Sequence, residues 1–299
     1  MIISASRRTD IPAFYNQWFM NRIRAGWCLV PNPFNPKQVA RVSLLPSDID
    51  AIVFWSKNPA PLMAHLDELD ELGLRYYFQF TLNNYPKMLE PRVPDFNNRI
   101  ETFLGLSERL GAARVIWRYD PIIISNLTSY EFHLRNFARI ADSLKGATQQ
   151  VMVSMLDFYQ KTSRHLCELK QRGIVFDREA DSSMDVNELM RGIAQIAKSN
   201  GMAIFSCAEE RDFTEVGVPP GHCIDEYLLH SLWEFPCKNK KDPGQRKQCG
   251  CAVSKDIGIN NTCIHGCPYC YATGNCTIAS RRYHEHNPAS PAMCDYRKL

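Results

Sequence analysis

The chain of 299 residues has no run of 18 or more apolar residues, so no stretch matches the roughly 20-residue apolar helix that spans a bilayer. It also lacks a strong excess of either charge. Its 35 basic and 32 acidic residues leave a formal net charge of +3, too little for a dedicated polyanion binder but compatible with a local basic groove. No internal repeat and no low-complexity tract occurs. In the opening MIISASRRTD the charges follow the short apolar stretch instead of leading it, unlike an export leader, and the expected compartment is the cytoplasm. No G-x-G-x-x-G follows any apolar run, which weakens the case for an open dinucleotide-binding sheet. What remains is a globular balance of 45% hydrophobic and 22% charged residues, at a length compatible with one α/β barrel of about 250 residues.

Short apolar, β-branched or aromatic runs recur at 1–5, 50–55, 75–82, 113–119, 150–156 and 202–207. They are nearly continuous in hydrophobicity, as parallel strands covered on both faces are. Between them the 3.6-residue period predicts helices over 12–25, 60–72, 97–110, 128–144, 159–172 and 185–199. Leu62, Leu66 and Leu69 form one apolar stripe, and Val186, Leu189, Ile193 and Ile196 another. Gly73, Gly111, Gly173 and Gly201 stand where helix C-terminal caps are expected. Six alternating pairs predict a full or partial (β/α) barrel core over 1–207, with an open Rossmann-like sheet as the rival. Beyond residue 208 the periodic signals fade. Residues 208–299 read as a cysteine-rich segment packed at the barrel mouth, and 237–248 (CKNKKDPGQRKQ) as a solvated basic loop.

In such folds the loops after the strands converge on one face and carry the chemistry. Ser4, Ser6, Arg7, Arg8, Thr9 and Asp10 follow the first run, and Trp55, Ser56, Lys57 and Asn58 the second. Gln79, Thr81, Asn83 and Asn84 mark the third exit, Arg118, Tyr119 and Asp120 the fourth, Ser154 and Asp157 the fifth, and Cys207, Glu209 and Glu210 the sixth. Taken singly these are ordinary polar loop residues. As a set they outline a pocket in which Arg7, Lys57 and Arg118 either anchor an anion or pair with neighbouring carboxylates.

Cysteine is what the chain has in excess. There are 12, and eight of them (Cys237, Cys249, Cys251, Cys263, Cys267, Cys270, Cys276 and Cys294) lie in the last 63 residues. A long chain without an export leader points away from a disulfide scaffold and toward metal ligation. The sharpest motif is Cys263-Ile-His-Gly-Cys267-Pro-Tyr-Cys270, spaced C-x3-C-x2-C. Three thiolates at this spacing can each hold one iron of a cubane, leaving the fourth iron open to a small molecule. Two other readings use the same residues. A four-thiolate zinc site would join Cys249 and Cys251 to two of the motif cysteines, making a zinc-stapled nucleic-acid-binding module with Arg7, Arg8 and the basic loop. A closed cluster with Cys276 as fourth ligand would make an electron-transfer protein. Cys207, Cys223, Cys249 and Cys251 are candidates for a second metal or cluster. Cys28 and Cys167 read as small buried hydrophobes, and His265 as a packing residue of the loop.

The stretch CIHGCPYC, with an aromatic residue before its third cysteine, resembles the cluster loop of radical SAM enzymes. The whole chain is similar to an uncharacterised prokaryotic family with SASRRTDIP at the start, FWSKNP and WRYDP in the middle, and CGC, DIG, NTC, HGC and YCYA in order at the end. The resemblance implies a [4Fe-4S] cluster on Cys263, Cys267 and Cys270 whose open iron chelates S-adenosylmethionine. It also implies reductive cleavage to a 5′-deoxyadenosyl radical acting on an unknown substrate, and an electron donor such as flavodoxin or ferredoxin. In ordinary members the motif follows the first strand. Here it follows all six, so the layout is permuted, and equivalents of the SAM contacts are expected at Ser4, Ser6, Arg7, Ser56, Lys57, Arg118 and Glu209.

Overall fold

A computed structural model describes residues 1–158, 162–177, 184–237, 240–295 and 297. The six expected strands are all present: β1 (Ile2–Ala5), β4 (Ala51–Ser56), β5 (Tyr76–Thr81), β6 (Val115–Ile122), β7 (Gln150–Met155) and β8 (Ala203–Cys207). The expected helices are present too. The first is broken into α1 (Ile11–Phe14) and α2 (Asn16–Ala25), and the second into α3 (Ala60–Met63) and α4 (Leu66–Glu71). They are followed by α5 (Phe96–Leu110), α6 (Tyr130–Ser143), α7 (Ser163–Gln171) and α8 (Met184–Ser199). The helix expected from 159 begins on residues 159–161, outside the described set. Gly73, Gly111, Gly173 and Gly201 all have positive φ, as C-terminal caps require.

Four further strands and two further helices carry no strong sequence signal. A hairpin of β2 (Trp27–Pro31) and β3 (Val39–Ser43) stands apart from the main sheet. The segment after 208 adds β9 (Pro220–Gly221), α9 (Glu226–Trp233), β10 (Ser254–Asp256) and α10 (Cys276–His284). The main sheet has eight strands in the order β10-β1-β4-β5-β6-β7-β8-β9, every neighbouring pair parallel. It curls as a half-barrel. The C-terminal segment thus supplies both outermost strands. β10 escapes sequence reading because its residues, Ser-Lys-Asp, offer neither alternation nor apolar bulk. Its pairing comes from a neighbour more than 240 positions away.

The period-2 alternation of strand side chains explains why the sheet is buried on both faces yet carries a polar mouth. One set (Ile3, Ile52, Phe54, Tyr76, Phe78, Val115, Trp117, Val151) packs with Leu62, Leu66, Phe103, Phe137 and Ile193 from the helices in the largest core cluster. The other set begins apolar (Ile2, Val53, Tyr77, Ile116, Met152) and is sealed by Cys223, Ile224, Leu229, Phe235 and Ala252 of the C-terminal segment. Two residues further along each strand, toward its C-terminal end, this face turns polar or amphipathic at Ser4, Trp55, Gln79, Arg118, Ser154 and Cys207. Truncating a fully buried ring such as Phe54 or Trp117 to alanine costs about 3–5 kcal/mol. Among the described residues no helix is long and apolar enough to cross a membrane.

His133 of α6 is fully buried. Its Nδ1 lies 2.7 Å from Tyr119 Oη and its Nε2 2.9 Å from the Ile123 carbonyl. A neutral ring accepting from Tyr119 and donating to Ile123 satisfies both. Desolvation holds its pKa down, from 6.5 to about 4, against the opposing backbone hydrogen bond. Unfolding lets the ring take up a proton, so the unfolded chain binds more protons than the folded one between pH 6.5 and 4. Stability from this group therefore falls by about 3 kcal/mol as the pH drops through that window. Urea unfolding at pH 7, 5.5 and 4 checks it: His133→Gln should be less stable than wild type at pH 7, and should lose less on acidification.

Candidate active site at the strand exits

β10 runs directly into the cysteine loop, and the junction is held by one carboxylate. Asp256 accepts from Ser4 Oγ at 2.9 Å, Ser6 Oγ at 2.6 Å, the Arg7 amide at 2.9 Å and Arg8 Nε at 3.1 Å. Burial alone would raise its pKa, but Arg8 and these donors hold it below the usual range. A Cβ on Gly258 would overlap Ser6 Oγ, so only glycine lets the chain cross the exit of β1 at that distance.

The loop then lies across the strand exits. Tyr15 Oη donates to the Thr262 carbonyl at 2.9 Å. His265, between the first two motif cysteines, places Nε2 2.8 Å from Asp10 Oδ2. Asp10 also caps α1 through Ala13 N and receives Ser56 Oγ at 2.7 Å and Lys57 N at 2.8 Å. Tyr269 Oη donates to Glu90 Oε1 at 2.7 Å, and Lys57 Nζ reaches the same oxygen at 2.6 Å. Burial pushes the Glu90 carboxyl up, but Lys57, Arg99 and the hydrogen bonds from Lys57 and Tyr269 outweigh it and hold it at about 2. Two buried carboxylates thus fasten the loop on either side of Cys267.

Cys263, Cys267 and Cys270 all line one cavity of about 650 Å³ at the C-terminal ends of the strands. Burial raises the thiol pKa of Cys263, aided by Asp10 and Cys270. It pushes Cys267 to about 12 even with Lys57 opposing. Metal uptake here would displace protons, as thiolate ligation requires. The donor set suits a cluster on three cysteines: three thiols from one fixed loop face one cavity. Cys276 opens α10 and lines a separate cleft behind the loop, with Lys87, Arg164 and Glu168.

Of the other expected contacts, Ser6, Arg7, Ser56, Lys57 and Arg118 line the cavity. Ser4 does not: it is fully buried, bonded to Asp256 and to Trp55 Nε1. Nor does Glu209, whose Oε1 accepts from Met155 N at 2.9 Å. Two guanidiniums lie against the Trp55 ring, Arg7 at 5.1 Å and Arg118 at 5.0 Å from its centroid. Such cation–π contacts hold charge against an aromatic shelf. Arg118 also pairs with Asp120, which receives Ser154 as well. Arg8 is engaged by Asp256, and Arg246 of the basic loop by Asp157 at 2.6 Å.

Cys207, Cys223, Cys249 and Cys251 line the same cavity. Cys207 and Cys223 stand 2.9 Å apart, Cys223 contacts Cys251, and Cys251 contacts Cys249. Hydrogen bonding within the chain of thiols, followed by Arg118 for Cys207 and Arg7 for Cys251, lowers the pKa of those two against burial. Among the described residues no group of three or more His, Cys, Asp or Glu side chains is posed to hold a single metal ion. Cys28 is buried as expected, whereas Cys167 is exposed on α7. Sequence reading missed Asp256 and Glu90. Glu90 sits in a proline-punctuated loop without periodicity, and Asp256 in a strand without a hydrophobic signal.

Fold and site together define an all-parallel α/β half-barrel with a thiol-lined cavity at its strand exits. The chain belongs to the family described as Domain of unknown function (DUF1848), which it matches over residues 2–272. No curated protein and no solved structure matches it.

Two substitutions test this geometry. If the chain takes up iron on anaerobic reconstitution, Cys276→Ser should leave the amount unchanged, because that thiol lines a different cleft; loss of half or more would make it a ligand. Glu90→Ala strands Lys57 beside Arg99 and should destabilise the fold by about 3–5 kcal/mol, measured by denaturant unfolding at neutral pH.

Proposed function

We propose that the protein is a radical SAM-like enzyme with a permuted half-barrel, acting on a substrate held at the strand exits. The observation that carries this reading is the presence of all three cysteines of the C-x3-C-x2-C loop on the same cavity as the exits of β1, β4, β6 and β7. The sheet order supports the permutation. The strand leading into the cysteines is last in sequence but lies at the sheet edge, next to β1 and parallel to it, so in space it stands as a first strand.

In this reading Cys263, Cys267 and Cys270 would hold a [4Fe-4S] cluster beside a bound S-adenosylmethionine. Once reduced, the cluster would supply the electron for cleavage of the sulfonium to methionine and a 5′-deoxyadenosyl radical. The chain's own groups position and shield. Asp10, through His265, and Glu90, through Lys57 and Tyr269, fix the loop. Ser6, Ser56 and Arg7 offer polar contacts on the cavity wall. Trp55 gives a flat apolar surface with two guanidiniums against it, suited to an adenine or to an anionic substrate group. Arg118, already paired with Asp120, orients that carboxylate.

Anaerobically reconstituted and reduced protein should form 5′-deoxyadenosine from S-adenosylmethionine, quantified by chromatography with mass detection. The electron paramagnetic resonance signal of the loop cluster should change when S-adenosylmethionine is added. Cys267→Ala should abolish both. A colourless preparation carrying zinc alone, or a cluster signal indifferent to S-adenosylmethionine, would overturn the reading.

A further inference from the structure

We infer that Cys207, Cys223, Cys249 and Cys251 ligate a second iron–sulfur cluster, fully coordinated by protein, on the same cavity as the three-cysteine loop. The thiols arrive from three separate places: the last residue of β8, the residue two past β9, and the Cys249-Gly250-Cys251 turn. They nevertheless meet in one unbroken row, Cys207–Cys223–Cys251–Cys249. Four cysteines brought together from distant segments and left as free thiols are a ligand set in search of a metal, because apolar packing alone has no need of sulfur at four contiguous positions.

The surroundings suit thiolates. Arg118 donates Nη1 to Cys223 Sγ at 2.7 Å and approaches Cys207 Sγ through Nη2 at 3.9 Å. The Ile224 amide donates to Cys251 Sγ at 3.4 Å. Arg7 adds a second guanidinium, whose Nη2 is buried without a hydrogen-bond partner among the described residues. Hydrogen bonds and positive charge around cysteine sulfur stabilise the added negative charge of a cluster and set its potential. The C-x-C turn is fixed in place as well, since a Cβ on Gly250 would overlap the His222 ring.

Room beside the thiols favours a cluster over zinc. A structural zinc site is a closed tetrahedral shell around one point. Here the four thiols line a cavity of about 650 Å³. A cubane is a larger body that its cysteines meet at separate corners, and seating one requires the contacts Cys207–Cys223, Cys223–Cys251 and Cys251–Cys249 all to open by side-chain rotation. Four thiolates would satisfy all four irons, so this centre carries electrons and leaves substrate binding to the rest of the cavity.

The inference stands apart from the reading of the three-cysteine loop, and full-length protein reconstituted anaerobically with iron and sulfide distinguishes the two. Wild type should bind about eight irons per chain, four for each cluster. A triple Cys263→Ala, Cys267→Ala, Cys270→Ala variant should keep about four irons and a reduced-cluster resonance that S-adenosylmethionine does not alter. A double Cys249→Ala, Cys251→Ala variant should lose about half the iron and keep the S-adenosylmethionine-responsive signal. An iron-free triple variant would overturn this inference, as would one zinc per chain in its place, or a Cys207–Cys223 disulfide found by mass spectrometry of anaerobically prepared protein. An iron-free double variant beside an iron-loaded triple variant would instead sink the loop reading and leave this centre standing.

Discussion

The carboxylate of Asp256 holds together what the chain keeps furthest apart. Its partners Ser4 and Ser6 lie about 250 positions away, and with the parallel ladder from β10 to β1 it docks the C-terminal segment against the first strand. Closing so long a loop costs little more entropy than closing one half its length, since the penalty grows with the logarithm of loop size. A few charge-assisted hydrogen bonds in a sheltered position are therefore enough to decide where the cysteine loop sits. Without them the three thiols would be tethered to the molecule but not aimed at its mouth.

The mouth follows from the arithmetic of the sheet. Strands in parallel need both faces covered, and here the helices cover one while Cys223, Ile224, Leu229, Phe235 and Ala252 plug the lower half of the other. The plug stops short of the strand ends. Above it the alternation that buries Ile2, Val53 and Ile116 brings Ser4, Trp55 and Arg118 to the same face two residues later. Polar and ionisable groups are thus desolvated beside a cavity instead of in a closed core. That is why so many shifted pKa values collect there: Glu90 is held low by its cations, while Cys263 and Cys267 are held high by burial. Such a site also has two kinds of wall. One is built from strand ends held in the parallel ladder; the other is built from loops that the buried carboxylates Asp10 and Glu90 pin at single points.

Much of this was legible in the residues. The six central strands announce themselves because each is a continuous apolar run, and Leu62, Leu66 and Leu69 lie buried on the stripe that their spacing defines. The C-x3-C-x2-C spacing marks its own loop. The breaks at Tyr15 and between Met63 and Leu66 were not legible, because helix periodicity runs through them unbroken. Nor were β9 and β10, whose short polar sequences become strands only through their neighbours. Among the expected cavity contacts, Ser4 turned inward to Asp256 and Glu209 to the Met155 amide. A strand-exit position says which end of the sheet a residue occupies, but not which partner claims its side chain.

The sequence by itself determined the α/β alternation, the positions of the six central strands and of the helical segments between them, and a cysteine loop spaced C-x3-C-x2-C. These are local properties, written in periodicity and in short-range motifs. Only the tertiary structure decided that the last strand lies beside the first, that Asp10 and Glu90 clamp the loop, and that Cys207, Cys223, Cys249 and Cys251 meet in one row. Those are contacts between segments up to 250 residues apart, fixed by burial and hydrogen bonding across the fold, and no local pattern encodes them.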